Sequence, residues 1–260
     1  MPTAADFPYC RTARPVAFAH RGGALSGLEN SMSAFTRAVE LGYRHLETDA
    51  HVTADGVLLA FHDDSLDRVT DRSGRLAVLP WSVVQQARIG GREPIPTMAE
   101  LFAAWPHVRI NIDVKSAAAI APLLELVDRS DAWDRVCVGS FSDARLRLVR
   151  RAAGPRLATS MGPVEVAALK LAAYVPDVDP LLAMQTPLVQ VPLRFAGIPV
   201  LDGPLVRAAH RLGRQVHAWT INEPKQMDQL LDLGVDGIMT DSLEALREVF
   251  AARGLPWPPL

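Results

Sequence analysis

The chain alternates short runs rich in β-branched residues with longer amphipathic stretches, and this alternation constrains the fold more than any other feature of the sequence. Such alternation is typical of βα units and a parallel sheet. Eight runs are predicted to be strands, at residues 16–20, 44–49, 108–114, 135–140, 156–160, 187–191, 215–220 and 236–240. We therefore predict an α/β protein with a single (β/α)8 TIM barrel, forming one domain over residues 1–260, a length typical of that fold.

The predicted helices carry capping signals at both ends. Gly42, Gly213 and Gly234 each follow a leucine where a helix is expected to end, and glycine readily adopts the positive φ needed there. The next apolar strand begins within about three residues, as in many αβ loops. Thr97 and Glu100 have the spacing of a capping box. These repeats favour a barrel over a sandwich or a helical bundle.

One segment after the second strand interrupts the alternation. The dipeptide Asp55-Gly56 is a strong hairpin signal and precedes a second extended run, Val57 to Phe61. Residues 50–62 are thus predicted to fold back above the barrel mouth. Residues 63–95, rich in Asp, Arg and Gly, are predicted to form a long loop with one short helix around 81–88, and loops of that length are usually functional.

Charge and hydropathy argue against several classes of partner. The chain has 27 Lys plus Arg and 29 Asp plus Glu, so its net charge of −2 does not attract nucleic acid. Residues 1–14 lack the apolar core of a secretory signal, and no stretch reaches the roughly 18 apolar residues of a membrane span. We expect a cytoplasmic protein without stable membrane insertion.

Cys10 and Cys137 are expected to be free thiols. The sequence does not indicate an oligomeric state.

Polar residues that could carry chemistry occur where the predicted strands end. His20 ends the first strand, and Arg21 follows it just before a glycine turn. In a parallel barrel this end of the strands is the catalytic face. A lone histidine at a strand end is more often structural. Glu47 and Asp49, two residues apart on the second strand, point to the same side. The two carboxylates on the second strand therefore strengthen the interpretation of His20 as a functional residue.

Two unpaired carboxylates in a barrel interior are costly, so a positive group must lie beside them. That group could be Arg44 or Lys115, but we favour a divalent cation. Asp113 on the third strand adds a further carboxylate, and three carboxylates with open positions suit Mg²⁺ or Ca²⁺. Zinc is disfavoured because neither H-E-x-x-H nor a cysteine cluster is present. His62, which Asp63 could orient, adds a second histidine for general acid and base catalysis.

These residues belong to a series of blocks that resembles the glycerophosphodiester phosphodiesterase family over residues 16–250. The blocks are His20-Arg21-Gly22, Glu29-Asn30-Ser31, Glu47 with Asp49, Asp55-Gly56, His62-Asp63 with Leu66, Arg68 and Thr70, Ile95-Pro96-Thr97, Asp113 with Lys115, Trp219-Thr220 with Asn222, and Gly237 to Asp241. Because many blocks occur in the family's order, the match is far more specific than any single motif.

The resemblance implies metal-dependent hydrolysis of a small-molecule glycerophosphodiester to glycerol 3-phosphate and an alcohol. It assigns the roles as follows: His20 and His62 match the catalytic pair, Glu47, Asp49 and Asp113 the ligands of one divalent cation (Mg²⁺ or Ca²⁺), Arg21 and Lys115 the phosphate-binding residues, and Trp219 an aromatic wall of the substrate site. The family most often has Glu where this chain has Asp113, a departure that bears on ion preference. Which histidine is the base stays open.

Two other functions remain in view. The segment between the hairpin and the third strand is too short for the larger cap domain of some relatives, so the pocket could admit bulkier groups, as in a lysophospholipase D acting on lysophospholipids. The run from Leu181 to Phe195, with Met184, Val189, Val191 and Leu193, is either ordinary core or a lipid-binding rim, and core is the more common case. A non-catalytic binding barrel is disfavoured because the polar constellation is complete.

Overall fold

The computed structural model describes residues 2–175 and 186–257. Its strands are β1 (Val16–His20), β2 (His45–Val52), β3 (Leu58–Ala60), β4 (Arg88–Ile89), β5 (Glu93–Pro94), β6 (Arg109–Val114), β7 (Val136–Gly139), β8 (Ala158–Thr159), β9 (Leu188–Pro192), β10 (Arg194–Phe195), β11 (Ile198–Pro199), β12 (Gln215–Trp219) and β13 (Gly237–Thr240). Eight of them, in the order β8-β7-β6-β2-β1-β13-β12-β9, form the main sheet with parallel neighbours.

A parallel bridge between Ser160 and Leu188 joins the two ends of this sheet, so the strands form a nearly closed barrel. The predicted (β/α)8 fold is confirmed, and each predicted strand has a counterpart within a few residues. The second strand runs beyond its predicted end because residues 50–52 pair antiparallel with β3, as the hairpin signal at Asp55-Gly56 indicated.

The helices of the described ranges are α1 (Met32–Glu40), α2 (Trp81–Val84), α3 (Met98–Ala104), α4 (Ile120–Arg129), α5 (Asp143–Ala153), α6 (Pro163–Ala172), α7 (Gly203–Arg211), α8 (Pro224–Leu233) and α9 (Leu243–Ala252). The predicted capping box is present, since Thr97 Oγ1 accepts from the Glu100 amide while the Glu100 carboxylate accepts from the Thr97 amide. Gly42, Gly213 and Gly234 all have positive φ. In these ranges no helix has the length and hydropathy to cross a membrane.

The core has three parts. The largest fills the layer between the barrel and its helices. A second lies inside the barrel, where Tyr9, Cys10 and Phe18 pack near the amino ends of the strands, and both cysteines are buried free thiols, as expected. A third belongs to β3 and the long segment after it, where Leu59, Phe61, Leu66, Leu76, Val84, Ala87, Ile89 and Ile95 bury one another. This segment therefore packs as a compact unit, although its helix α2 ends earlier than predicted.

Candidate active site

A cavity of about 590 Å³ opens at the carboxyl ends of the barrel strands. All eight residues predicted for the site line it: His20, Arg21, Glu47, Asp49, His62, Asp113, Lys115 and Trp219. Seven of them come from the ends of four barrel strands, β1, β2, β6 and β12, which the parallel topology brings to one rim, and His62 comes from the segment after β3. The structure thus gathers residues that lie almost 200 positions apart in the sequence.

His20 is held by a residue that the sequence did not single out as functional. Its Nδ1 lies 2.7 Å from Oδ1 of Asp241, which follows β13 beside β1. Because a carboxylate accepts only, Nδ1 carries the proton and Nε2 is left for other partners. Asn222 fixes Asp241 in turn, donating to Oδ2 and accepting from the Asp241 amide. The sequence does show a carboxylate directly after the last predicted strand. That carboxylate reaches His20 only because β13 pairs with β1 when the barrel closes.

The other nitrogen of His20, Nε2, lies 3.8 Å from Oε2 of Glu47. Burial by itself would lower the pKa of His20, but the negative charges of Glu47 and Asp241 outweigh burial and raise it. Glu47 is itself 5% exposed, and its Oε2 accepts a hydrogen bond from the Arg21 amide. Burial raises the pKa of Glu47 to about 7 despite the nearby positive groups, because one amide does not compensate the desolvation of its charge.

Asp49 and Asp113 face each other on adjacent strands, paired in register, and the ammonium of Lys115 lies between them. Its Nζ is 2.9 Å from Asp49 Oδ1 and 2.6 Å from Asp113 Oδ2. Burial would raise the pKa of Asp49, but Lys115 and Arg21 outweigh it and lower that pKa. Of the two basic residues considered for pairing, Lys115 is therefore the partner. Arg44 instead donates to main-chain carbonyls.

The three carboxylates do not form a preassembled ion-binding cluster: in residues 2–175 and 186–257 no three His, Cys, Asp or Glu side chains are arranged to hold a metal. Two observations nevertheless fit a cation. Oδ1 of Asp113 is buried and has no hydrogen-bond partner. The nearby positive groups do not compensate the desolvation of the buried Glu47 carboxylate. Carboxylate oxygens of this kind are the donors that hard cations such as Mg²⁺ and Ca²⁺ prefer. The residues present thus suit a divalent ion held by Glu47, Asp49 and Asp113.

His62 lies on the segment that follows β3. Its Nδ1 is 2.5 Å from Oδ1 of Asp63, the contact expected from their adjacency in sequence. Both oxygens of Asp63 also accept from Arg68, which lowers the pKa of Asp63 to about 2. Each of the two histidines therefore has a carboxylate at Nδ1, in one case from a sequence neighbour and in the other from the opposite end of the chain.

Arg21 has an acidic neighbourhood of its own. Its Nη1 donates to Glu29 Oε1 at 3.0 Å, and its Nε lies 3.1 Å from Asp49 Oδ2. Asn30 also donates to Asp49 Oδ2 at 3.0 Å. The Glu29-Asn30 block noted in the sequence thus supports a basic side chain and a carboxylate of the site from one turn.

One side of the cavity is apolar. Trp219 packs edge-on against Phe141, with ring centroids 5.4 Å apart, and the hairpin β10–β11 contributes Phe195 and Ile198. Phe195 is 62% exposed and Ile198 is 67% exposed, so the apolar wall continues onto the surface.

The run from Leu181 to Phe195, for which both core and rim were considered, is divided. Val189 and Val191 belong to the core between the barrel and its helices, whereas Phe195 lies at the rim of the cavity. Residues 181–185, with Met184, lie outside the described residues.

Comparison with known proteins agrees with the geometry. Residues 20–245 match the model of the glycerophosphoryl diester phosphodiesterase family. The chain is 42% identical over 250 residues to a probable glycerophosphodiester phosphodiesterase 2 of Mycobacterium tuberculosis, covering 92% of each chain. It is 29% identical to a human lysophospholipase D, covering 88% of this chain and 84% of the relative.

Among solved structures, the barrel superposes on an Oleispira antarctica phosphodiesterase determined with the product sn-glycerol-3-phosphate. The TM-score is 0.77 at 22% sequence identity, covering 96% of this chain and 100% of the other, a likeness of fold. The family match covers most of the chain and spans the residues that line the cavity. The chain belongs to the glycerophosphoryl diester phosphodiesterase family and is a phosphoric diester hydrolase.

Proposed function

We propose that the chain hydrolyses glycerophosphodiesters to glycerol 3-phosphate and an alcohol, with a divalent cation and two histidines. The observation that carries this proposal is the shared cavity, in which two carboxylate-bound imidazoles accompany a basic pair and three carboxylates, of which Glu47 and Asp49 are buried. The names of the family and of the mycobacterial relative support the substrate class. So does the sn-glycerol-3-phosphate named as the product in the Oleispira structure.

The acidic residues Glu47, Asp49 and Asp113 would hold the ion, which when bound supplies positive charge to polarise the phosphodiester. Arg21 would bind the phosphate through its guanidinium, oriented by Glu29. Lys115, now neutralising Asp49 and Asp113, is the second basic group within reach of the same cavity. A cation bound to those carboxylates would take over this neutralising role, so Lys115 would be available to a phosphate oxygen.

The two histidines would transfer the protons. With Nδ1 of each held by a carboxylate, Nε2 is the atom that can take or give a proton. One Nε2 removes the proton of the nucleophile as the new P–O bond forms, and the other protonates the departing alcohol oxygen as the old P–O bond breaks. By resemblance to the family, the nucleophile is the vicinal hydroxyl of the glycerol, which gives a cyclic phosphate that water then opens.

Steady-state assays test this proposal directly. The protein is stripped with EDTA, then supplied with Mg²⁺ or Ca²⁺, and offered glycerophosphocholine, glycerophosphoethanolamine and glycerophosphoglycerol while glycerol 3-phosphate is quantified. We expect turnover that depends on the added ion. A phosphodiester without a vicinal hydroxyl, bis(p-nitrophenyl) phosphate, is expected to be a much poorer substrate. Full activity in EDTA would refute the role of the ion, and absence of turnover on every glycerophosphodiester would refute the substrate class.

A second candidate function is favoured by the apolar wall. A lysophospholipase D converts a lysophospholipid and water to lysophosphatidic acid and the head-group alcohol, and its acyl chain needs an apolar surface beside the phosphate. Phe141, Trp219, Phe195 and Ile198 supply such a surface here, and one relative is named a lysophospholipase D. The ratio of kcat/KM for lysophosphatidylcholine to that for glycerophosphocholine decides between them: a ratio above one identifies the lysolipid as the preferred substrate.

A further inference from the structure

The guanidinium of Arg68 does not line the cavity, but it contacts two carboxylates, those of Asp63 and Glu29. We infer that Arg68 is a positioning residue, which holds Asp63 and Glu29 and through them sets His62 and Arg21 against the substrate. The inference rests on the proposed function, because it assumes that His62 transfers a proton and that Arg21 binds phosphate. It adds a residue to which no role has been assigned.

Four hydrogen bonds define the position of Arg68. Nε donates to Asp63 Oδ2 at 2.6 Å and Nη2 to Asp63 Oδ1 at 2.9 Å. On the other side, Nη1 donates to Glu29 Oε2 at 2.9 Å and Nη2 to Glu29 Oε1 at 2.7 Å. Arg68 is therefore bidentate to both carboxylates, a geometry that fixes orientation as well as charge.

Each of these two carboxylates also contacts one active-site side chain, and it does so through an oxygen that accepts from Arg68. Asp63 Oδ1 contacts His62 Nδ1 at 2.5 Å, and Glu29 Oε1 contacts Arg21 Nη1 at 3.0 Å. The two oxygens share Nη2 of Arg68. Without the guanidinium, two partly exposed carboxylates would repel each other, and each would lose one of the two partners that fix its rotation.

The main chain that carries Arg68 is well fixed. Leu66 is fully buried in the cluster of the segment after β3, and its amide donates to the Gly74 carbonyl. The Thr70 amide donates back to the Leu66 carbonyl, which closes a turn around Arg68. An arginine on such a turn can transmit a fixed geometry, whereas a freely moving surface side chain cannot.

A purely structural role predicts a different outcome from a positioning role. The Arg68 side chain is 49% exposed, and exposed ion pairs contribute little to stability. Removing it should therefore lower the melting temperature only slightly. Catalysis should suffer more, because losing a residue that orients an active-site group typically costs about 10- to 100-fold.

The experiment uses R68M, which keeps an unbranched side chain but has no donors, and R68K, which keeps the charge but not the fork. The control is R75M on the same segment, whose exposed side chain has one ion pair, 3.6 Å from Asp64. We expect R68M to lower kcat and raise KM, with about 10- to 100-fold loss of kcat/KM. R68K should recover part of the loss, R75M should match the parent, and all three should retain the parent's circular dichroism spectrum.

Double-mutant cycles separate the effect of Arg68 through Asp63 from its effect through Glu29. D63N should mainly lower kcat through His62, and E29Q should mainly raise KM through Arg21. Adding R68M to D63N should lower kcat little further, and adding R68M to E29Q should raise KM little further. Fully additive effects, or R68M with the kinetics of R75M, would overturn the inference. A parent protein inactive on all diesters would instead contradict the proposed function, so the two failures are distinguishable.

Discussion

Nδ1 of His20 lies 2.7 Å from Oδ1 of Asp241, a contact that joins the first barrel strand to the residue after the last one. Because Asp241 raises the pKa of His20, D241N should lower that pKa, and an NMR titration of the imidazole measures the shift directly. The variant should also lose about 10- to 100-fold in kcat, since an uncharged amide stabilises an imidazolium less than a carboxylate does. D228N, which removes an exposed partner of Arg253, is the matched control. An unchanged His20 pKa in D241N would contradict the assignment.

Replacing either histidine by alanine should reduce kcat by roughly 10²-fold or more, because a positioned proton transfer is worth about that much. The affinity for the ion should change little, since neither His20 nor His62 belongs to the proposed ligand set. Isothermal titration of H20A and H62A with the ion, run beside the turnover assay, checks both statements. If either variant keeps near-parent activity, or if the loss follows only from lost ion binding, the acid–base roles are wrong.

Arg21 is expected to bind the phosphate with a charge-assisted contact. R21A should therefore lose on the order of 1.5 to 3 kcal/mol of transition-state binding, read from the ratio of kcat/KM values. R37A is a suitable control, because its exposed ion pair with Glu244 lies on the outer helices. A kcat/KM for R21A equal to that of R37A would remove Arg21 from the site.

The raised pKa of Glu47 makes ion-free stability depend on pH. Burial favours the neutral carboxyl of Glu47. The contribution of this raised pKa to the stability of the fold is therefore fully present below the unfolded pKa near 4.5, and it is lost as pH rises through about 7. E47Q, which cannot ionise, should thus melt higher than the parent at pH 8 in EDTA, with a smaller difference at pH 5.

Adding Mg²⁺ or Ca²⁺ at pH 8 should stabilise the parent through binding to the folded state, and E47Q much less. An ion-induced shift of equal size in both proteins would show that Glu47 is not a ligand. The same result would leave the pH effect in EDTA intact, so the two parts of this prediction can fail separately.

The exposed hairpin residues should matter for a lipid substrate only. F195S and I198S should lower kcat/KM for lysophosphatidylcholine by about tenfold, on the scale of one lost apolar side-chain contact of 1.5 kcal/mol or more, while leaving glycerophosphocholine turnover unchanged. V78S, at an equally exposed position away from the cavity, serves as the control. Equal losses on both substrates would indicate a general effect of the hairpin and no acyl-chain contact.

The sequence by itself determined the barrel, its eight strands and eight of the residues that line the cavity. Most of those features depend on local signals: β-branched runs, glycines after helices, and polar residues where a strand ends. Trp219 was indicated only by the resemblance to the family. The pairing of His62 with Asp63 was equally accessible, because adjacent residues need little tertiary structure to meet.

Only the tertiary structure decided how the charges are paired. Asp241 reaches His20 because the barrel closes, Arg68 joins Glu29 to Asp63 because the segment after β3 packs its own core, and Lys115 lies between Asp49 and Asp113 because β2 and β6 align in register. Hydrophobic periodicity specifies which face of a strand is buried, but the partner of a long charged side chain depends on distances set by closure, register and loop packing.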